Sequence, residues 1–358
     1  MSHNRSQVAV IVLWVLIILT MLAVSVGHRV SLGLRLNRYQ RDGLKAHYLA
    51  KAGVVRAIAE LEKDNNKDID YLGESWSTGL DTENNKLFEN IEVRQNSGES
   101  FTVQYLYDKV TDEYRCTEDE DRKVNSNGCD LRQLEELFML RVGQDGTMVP
   151  ADITLLAQTI IDWIDADTEK TAEPGVAEDP VFKNTLLKSP EELRLVLEYF
   201  YSKKNEPDYQ AKAQALYLRI EDIITVYTDS KVNLNTVGSD ALEIVLKGLY
   251  PSASLDQTLN EEITAFINSI NNFRGAGNYF DTANTADDII GKLASSGVTI
   301  SDPQRIDIIP KLFTKIKIKS EYFRIESTGK AGLVTKKITA VVKRAAGALP
   351  ELRYWHES

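Results

Sequence analysis

Histidine is scarce in this chain, and its positions restrict the chemistry that the protein can perform. The histidines are His3, His28, His47 and His356, so the sequence between residues 48 and 355 contains none. A serine or cysteine nucleophile is normally activated by a neighbouring histidine, and the body of the protein lacks such a base. We therefore expect that the protein is not an enzyme.

Cysteine is equally rare. Cys116 and Cys129 flank a polar loop, and two cysteines without a nearby histidine cannot supply the four ligands of a structural zinc site. A disulfide closing this loop is the favoured interpretation, and it would place the domain in an oxidising compartment. The alternative is two unpaired thiols in a cytosolic domain.

An excess of basic residues is also missing. The formal net charge is -11, which argues against nucleic acid as the main partner.

A long uncharged run is present at the start of the chain. Residues Val8 to Val26 are apolar and would span roughly 28 Å as a helix, close to the thickness of a bilayer core. The helical pattern continues as an amphipathic segment to about residue 63, which predicts one helix of about 55 residues. The face expected to pack on a folded domain carries Leu44, Tyr48, Ala52, Val55 and Ala59.

The remaining chain alternates between strand and helix patterns. Residues 91–94 and 101–107 predict a β-hairpin, residues 109–312 have helical periodicity, and residues 312–344 alternate as strands again. We expect the two hairpins to share one antiparallel sheet on the long helix, with the helical block as an insertion. This is an α+β fold, and the expected divisions are 1–7, 8–26, 27–63, 64–108, 109–312, 313–346 and a tail at 347–358.

Charge is divided unevenly along the chain. Residues 112–130 contain seven acidic and three basic side chains, whereas residues 311–344 contain ten basic and two acidic ones. We interpret this division as further support for two separate bodies.

Several motifs together resemble the K-type minor pseudopilins of bacterial type II secretion systems (general secretion pathway protein K). They lie at residues 9–29 (AVIVLWVLIILTMLAVSVGHR), 49–57 (LAKAGVVRA), 160–169 (IIDWIDADTE), 175–179 (GVAED), 189–196 (SPEELRLV), 224–236 (ITVYTDSKVNLNT) and 318–332 (IKSEYFRIESTGKAG). The resemblance implies a pilin-like fold in which a large helical domain interrupts a small sheet.

The resemblance also implies a function. Such a subunit caps the tip of the secretion pseudopilus, and it initiates or limits the fibre that exports folded proteins across the outer membrane. Its expected partners are the I-type and J-type minor pseudopilins, with the H-type and the secreted substrate as further candidates. The alternative is a single-pass inner-membrane protein whose periplasmic domain binds calcium or a partner without joining a fibre.

The expected location is the inner membrane, with a cytoplasmic N-terminus and a periplasmic body. The basic residues that follow the apolar run would by themselves favour the opposite orientation, because only Arg5 precedes it. The periplasmic orientation is therefore an implication of the resemblance.

The resemblance assigns roles to residues near the N-terminus. Prepilin peptidase would cleave between Ser6 and Gln7, where the family usually has glycine before the cut. Ile11 then stands where most pilins carry a glutamate that receives the amine of a neighbouring subunit. Its absence is typical of the K type and suits a subunit at the tip, where Ile11 and Trp14 would pack against neighbouring helices in the fibre.

Two acidic segments are candidate sites for one or two calcium ions, which family members bind in the helical domain. The first candidate site consists of Asp165, Asp167, Glu178 and Asp179. The second consists of Glu118, Asp119, Asp121 and Asn125, within the loop that a disulfide would close. The alternative for both is a solvated acidic loop.

Residues 231–249 resemble half of a helix-hairpin-helix module. This segment has only Lys231 and Lys247 as basic residues and lies in an acidic domain, so we expect a scaffold or protein-interaction role. Asn233 and Asn235 are expected to bond backbone groups in its turn.

Overall fold

The long N-terminal helix continues from the apolar run into the folded body. The computed structural model describes residues 3–64, 66–108, 111–143, 146–171, 176–177, 180–251, 255–345 and 350–358, with side chains from residue 11 onward. Helix α1, His3–Lys63, has 61 residues, which confirms the predicted single helix. Among the described residues one helix, Ile11–Lys63, is long and apolar enough to cross a membrane.

The remaining elements alternate between a sheet and a helical region. The helices are α2 (Ser75–Thr78), α3 (Leu131–Phe138), α4 (Pro150–Ile164), α5 (Pro190–Lys203), α6 (Tyr209–Ile220), α7 (Ser239–Gly248), α8 (Gln257–Gly275), α9 (Ala286–Ser295) and α10 (Ile309–Phe313). The strands are β1 (Ile91–Glu92), β2 (Ser100–Val103), β3 (Tyr105–Asp108), β4 (Glu113–Arg115), β5 (Thr117–Asp119), β6 (Val124–Asn125), β7 (Ile224–Thr225), β8 (Val232–Asn233), β9 (Ile316–Lys317), β10 (Tyr322–Ala331), β11 (Val334–Lys343) and β12 (Glu351–Glu357).

One antiparallel sheet collects strands from both ends of the body. Its order is β1-β2-β10-β11-β12, and β5 also pairs with β10. Phe101 of β2 lies opposite Gly329 of β10, so the two hairpins share a sheet as predicted. The α+β class is therefore confirmed.

Three local predictions were wrong. The expected tail contains β12, which extends the sheet beside β11. Residues 224–225, expected in a helix, form β7 and pair with β6. Residues 312–313, expected to begin a strand, belong to α10. Short segments of this kind have apolar patterns that fit either structure, and pairing partners distant in sequence decide between them.

The chain buries two hydrophobic cores. The sheet core lies between α1 and the sheet and includes Ala50, Val54, Phe101 and Phe323. The helical core lies among the helices of residues 131–313 and includes Leu156, Ile160, Val196, Leu242 and Phe266. Strand β5 lies within the expected helical insertion yet belongs to the sheet, so the sheet takes one strand from inside that range.

The face of α1 that packs on the sheet differs from the predicted one. Leu44, Tyr48 and Val55 are 58%, 60% and 58% exposed, so the expected packing face is wrong. Leu49 and Leu61 are buried, but most buried positions of α1 carry smaller side chains: Ala46, Ala50, Gly53, Val54 and Ala57.

Close backbone approach explains this choice of face. Gly329 of β10 lies directly against α1, where a Cβ atom added to it would be 2.0 Å from the Ala46 carbonyl oxygen and 2.4 Å from the Ala50 nitrogen. Only a helix face of small residues lets the strand come this near.

The substitution Gly329→Ala tests this contact. The new methyl group would meet backbone atoms that cannot move independently, so we expect the full chain in detergent to lose about 1–3 kcal/mol of unfolding free energy. Denaturant unfolding followed by tryptophan fluorescence measures the change.

Gly291→Ala is the matched control. Gly291 lies in α9 with nothing within 4 Å of an added Cβ, so alanine there should stabilise the helix by about 0.5–1 kcal/mol. Equal stability of Gly329→Ala and the wild type would contradict the close packing of α1 on β10.

Candidate functional site

The predicted second calcium set lies at the junction of the sheet and the helical region. Glu118, Asp119, Glu120 and Asp121, here called the acidic turn, are at most 7% exposed. Strand β5 pairs Asp119 with Phe323, and a 3₁₀ turn, Glu120–Arg122, follows at once. The turn is therefore an internal part of the fold and not the tip of a surface loop.

Asp119 joins the two regions through its Oδ2 atom. This oxygen accepts hydrogen bonds from Thr236 Oγ1 at 2.5 Å and from Ser320 Oγ at 2.6 Å. Thr236 precedes α7 in the helical region, whereas Ser320 precedes β10 of the sheet. Asn233 Nδ2 adds a longer contact of 3.4 Å. Burial raises the pKa of Asp119 to about 6, although the two hydroxyl donors oppose this effect.

Glu120 makes a second bridge. It forms an ion pair with Arg324 of β10, and its other oxygen accepts a hydrogen bond from Thr225 of β7 at 2.5 Å. Arg324 and Lys123 together hold the pKa of Glu120 at about 2, and this attraction outweighs the effect of its complete burial. Lys123 Nζ also lies 2.7 Å from Glu118.

Asp121 binds the chain just before β10. Its Oδ2 atom accepts from the backbone nitrogens of Glu321 at 2.6 Å and Tyr322 at 3.1 Å. Its Oδ1 atom lies 2.7 Å from Lys317 Nζ. Protein donors and cations thus surround the carboxylates predicted as calcium ligands. Through these contacts the acidic turn joins the sheet to the helical region.

Asn125 completes this set of residues. It lies in β6, and its side chain donates to the Thr228 carbonyl oxygen at 2.5 Å. Its Oδ1 atom accepts from the Asn127 nitrogen at 2.9 Å, so it stabilises a local turn.

The predicted disulfide is wrong. Both cysteines are free: Cys129 is buried in the helical core, and Cys116 packs on the sheet core next to Gly79. Because the two thiols lie in different cores, they do not close the loop between them. Cysteine pairing consequently gives no information about the compartment.

The first predicted calcium set is only partly described. Asp165 follows the end of α4 and Asp167 is exposed, whereas Glu178 and Asp179 lie outside the described residues. Burial, together with the neighbouring charges of Asp167 and Asp162, raises the pKa of Asp165. A calcium site here remains a prediction.

A different carboxylate cluster was missed by the sequence analysis. Asp64, Asp70 and Glu74 offer ligand atoms within 4.8 Å of one another, so they could hold a metal ion. Arg344 Nη1, however, lies 2.8 Å from Asp70 and 3.6 Å from Asp64, so this cluster already contains a cation. Its three carboxylates lie between residues 64 and 74 of the sequence, but nothing in that segment indicates Arg344, which is 274 residues from Asp70.

The helix-hairpin-helix-like segment also contributes to the junction. Asn233 Oδ1 accepts from the Asn235 nitrogen at 2.9 Å, which confirms the bond predicted for Asn233. The side chain of Asn235 instead bonds the backbone of Phe280, outside the turn. The Asn233 side-chain amide donates to Ser320 Oγ at 2.7 Å and to the Asp70 carbonyl oxygen at 3.0 Å. The segment thereby attaches α7 to the sheet.

Comparison with known proteins supports the fold. No protein-family model and no curated protein matches the sequence. Among solved structures, a chain of the GspK-GspI-GspJ complex from the enterotoxigenic Escherichia coli Type 2 Secretion System is similar, with a TM-score of 0.56. The match covers 90% of this chain and 99% of that chain at 12% sequence identity. The pilin-like α+β fold, with helices between its strands, is confirmed.

The pKa of Glu74 leads to a testable pH dependence of stability. Burial raises its pKa to about 7, and burial also raises the pKa of Asp70 to about 6. Because such groups titrate near pH 4 in an unfolded chain, the folded protein binds extra protons between about pH 4 and 7. Its stability should therefore fall as the pH rises through this window.

We expect Glu74→Gln to weaken that pH dependence. The amide oxygen can still accept the bonds that Glu74 Oε2 receives from Trp76 Nε1 and the Tyr71 nitrogen. Removal of the buried charge should stabilise the protein at pH 8 by on the order of 1 kcal/mol, after allowance for partial exposure. Melting temperatures at pH 5, 6, 7 and 8 provide the measurement, with the exposed Glu261→Gln as control. If the melting temperature of Glu74→Gln depends on pH as that of the wild type does, the raised pKa of Glu74 is refuted.

Proposed function

We propose that this protein is a K-type minor pseudopilin that caps the tip of a type II secretion pseudopilus. The observation that carries the proposal is the apolar face of α1 that the sheet leaves uncovered. Leu44, Tyr48 and Val55 lie at helical spacing on this face, opposite the small residues that contact β10. A row of large apolar side chains beside a folded body favours packing by other helices.

The first half of α1 supplies the membrane anchor. From residue 11 onward none of its apolar side chains is buried against the body, and Ile11 and Trp14 are each 62% exposed. In the proposed topology the N-terminus is cytoplasmic and the body periplasmic. Cleavage between Ser6 and Gln7 would then leave Gln7 as the first residue of the mature helix.

The proposed position at the tip follows from residue 11. A carboxylate within the membrane is costly unless it has a partner, and Ile11 places none there. A subunit with no neighbour above it has no incoming amine to receive. The helical region would lie beyond the sheet and oppose further growth of the fibre.

The proposed partners are the I-type and J-type minor pseudopilins. The similar solved chain belongs to a complex of GspK, GspI and GspJ. By analogy, their helices would cover the exposed face of α1. The H-type subunit and secreted proteins are further candidate partners, and one or two calcium ions are candidate ligands of the helical region.

Tyr48→Asp tests the proposed packing. A carboxylate in the centre of the exposed face would have to be buried in the assembly, so we expect at least a tenfold loss in co-purification with the I-type and J-type subunits from detergent-solubilised membranes. Tyr48 is not part of the sheet core, and the variant should therefore keep the melting temperature of the wild type.

The matched control is Ile306→Asp. Ile306 is 75% exposed in the helical region, away from α1, so this variant should co-purify normally. Intact mass of the same preparations reports whether the first six residues have been removed. Wild-type protein that keeps Met1 and remains a monomer beside both partners would instead indicate a membrane protein outside the fibre.

A further inference from the structure

A cleft separates the sheet side of the molecule from the C-terminal end of α8. It has a volume of about 470 Å³. On the sheet side its lining includes Tyr71, Tyr107, Arg115 and the carboxylate of Glu113, and the helical region contributes Asn271 and Arg274. This volume lies within the range of about 300–1,000 Å³ that is usual for ligand sites.

Arg274 lies in this cleft without an acidic partner. Its Nη1 atom donates to the carbonyl oxygens of Val237 at 2.7 Å and Leu234 at 3.3 Å. Its Nη2 atom donates to Asn271 Oδ1 at 2.6 Å. All three acceptors are neutral. Across the described part of the chain, no carboxylate forms an ion pair with this guanidinium, although the protein as a whole is acidic.

Two further guanidinium groups lie near the cleft. Arg115 and Arg122 flank the ring of Tyr107, with their Cζ atoms 4.5 Å and 4.6 Å from its centroid. Each has one acidic partner: Arg115 pairs with Glu113 at 2.8 Å, and Arg122 pairs with Glu118 at 3.5 Å. The charge of Arg274 is therefore the uncompensated one in this group.

The position of Arg274 also carries an electrostatic cost. Burial, together with the nearby charge of Arg122, lowers the pKa of Arg274 to about 10. The guanidinium still carries its charge at neutral pH. A half-buried cation held only by neutral acceptors would be stabilised by an anion, and a carboxylate can accept two parallel hydrogen bonds from arginine.

We propose that this cleft binds a carboxylate-bearing ligand through Arg274. Asn271 Oδ1 holds the guanidinium from one side, and Gly275 and Gly277 also line the cleft. The carboxylate can come from an acidic side chain of a peptide or from a free organic acid. This binding requires neither a fibre nor a membrane, so it is independent of the proposed function.

Gly275 offers a test that leaves the Arg274 contacts in place. A Cβ atom added at Gly275 meets nothing within 4 Å, so substitutions there should fold normally. Gly275→Asp places a carboxylate in the cleft and should compete with the ligand. Gly275→Asn has nearly the same shape without the charge and is the matched control.

The probes are the blocked peptide acetyl-Gly-Asp-Gly-amide, its asparagine analogue and free glutarate, added to the full chain in detergent. Ligand-observed saturation-transfer NMR gives the apparent Kd. We expect the aspartate peptide to bind at least tenfold more tightly than the asparagine peptide. We also expect Gly275→Asp to lose at least tenfold in affinity while Gly275→Asn changes less than threefold.

The comparison of the two acids identifies the source of the carboxylate. Tighter binding of the aspartate peptide than of glutarate supports a peptide, and the reverse order supports a free organic acid. Equal binding of the aspartate and asparagine peptides, equal loss in the two Gly275 variants, or no saturation transfer from either acid would overturn the proposal.

Discussion

Burial of four consecutive carboxylates, residues 118–121, is the constraint on which the rest of the structure depends. A carboxylate removed from water is costly unless donors or cations surround it. The donors come from opposite sides: Thr236 belongs to the helical region, whereas Ser320 and Arg324 belong to the sheet side. Neither side alone supplies all the donors and cations that the carboxylates of the acidic turn bind. The two cores are therefore held in one relative position by hydrogen bonds and ion pairs as well as by apolar packing.

The sequence predicted the architecture well and the junction poorly. Periodicity was sufficient for α1, for the helices between residues 131 and 295, and for β10 and β11, because each has a long regular pattern. The acidic and basic segments are evident in the sequence, but their pairing with each other is not. In the structure they attract each other, as the pair of Glu120 with Arg324 shows. The pairing of Glu120 with Arg324 spans 204 residues and leaves no local signal, so the sequence does not reveal that the acidic turn joins the two regions.

The packing face of α1 illustrates a second limit. Large apolar residues at helical spacing are the usual mark of a buried face, and Leu44, Tyr48 and Val55 fit that pattern. The sheet instead packs on small residues, since Gly329 requires close approach of the helix backbone. Leu44, Tyr48 and Val55 consequently stay exposed on the opposite face of α1. A helix that uses one face within the subunit and keeps a second apolar face outside it is well suited to assembly, and this links the fold to the proposed function.

Hydrogen exchange of the full chain in detergent, at pH 7, tests the central claim that the acidic turn joins the two cores. Mass spectrometry gives opening free energies for the slowest amides of the helical core, in α4 and α7, and of the sheet core, in β10 and β11. The two values should be equal in the wild type. In Asp119→Ala both should fall together by about 3 kcal/mol, because several buried donors lose their acceptor. A loss confined to one core, with the other keeping its wild-type value, would contradict the account.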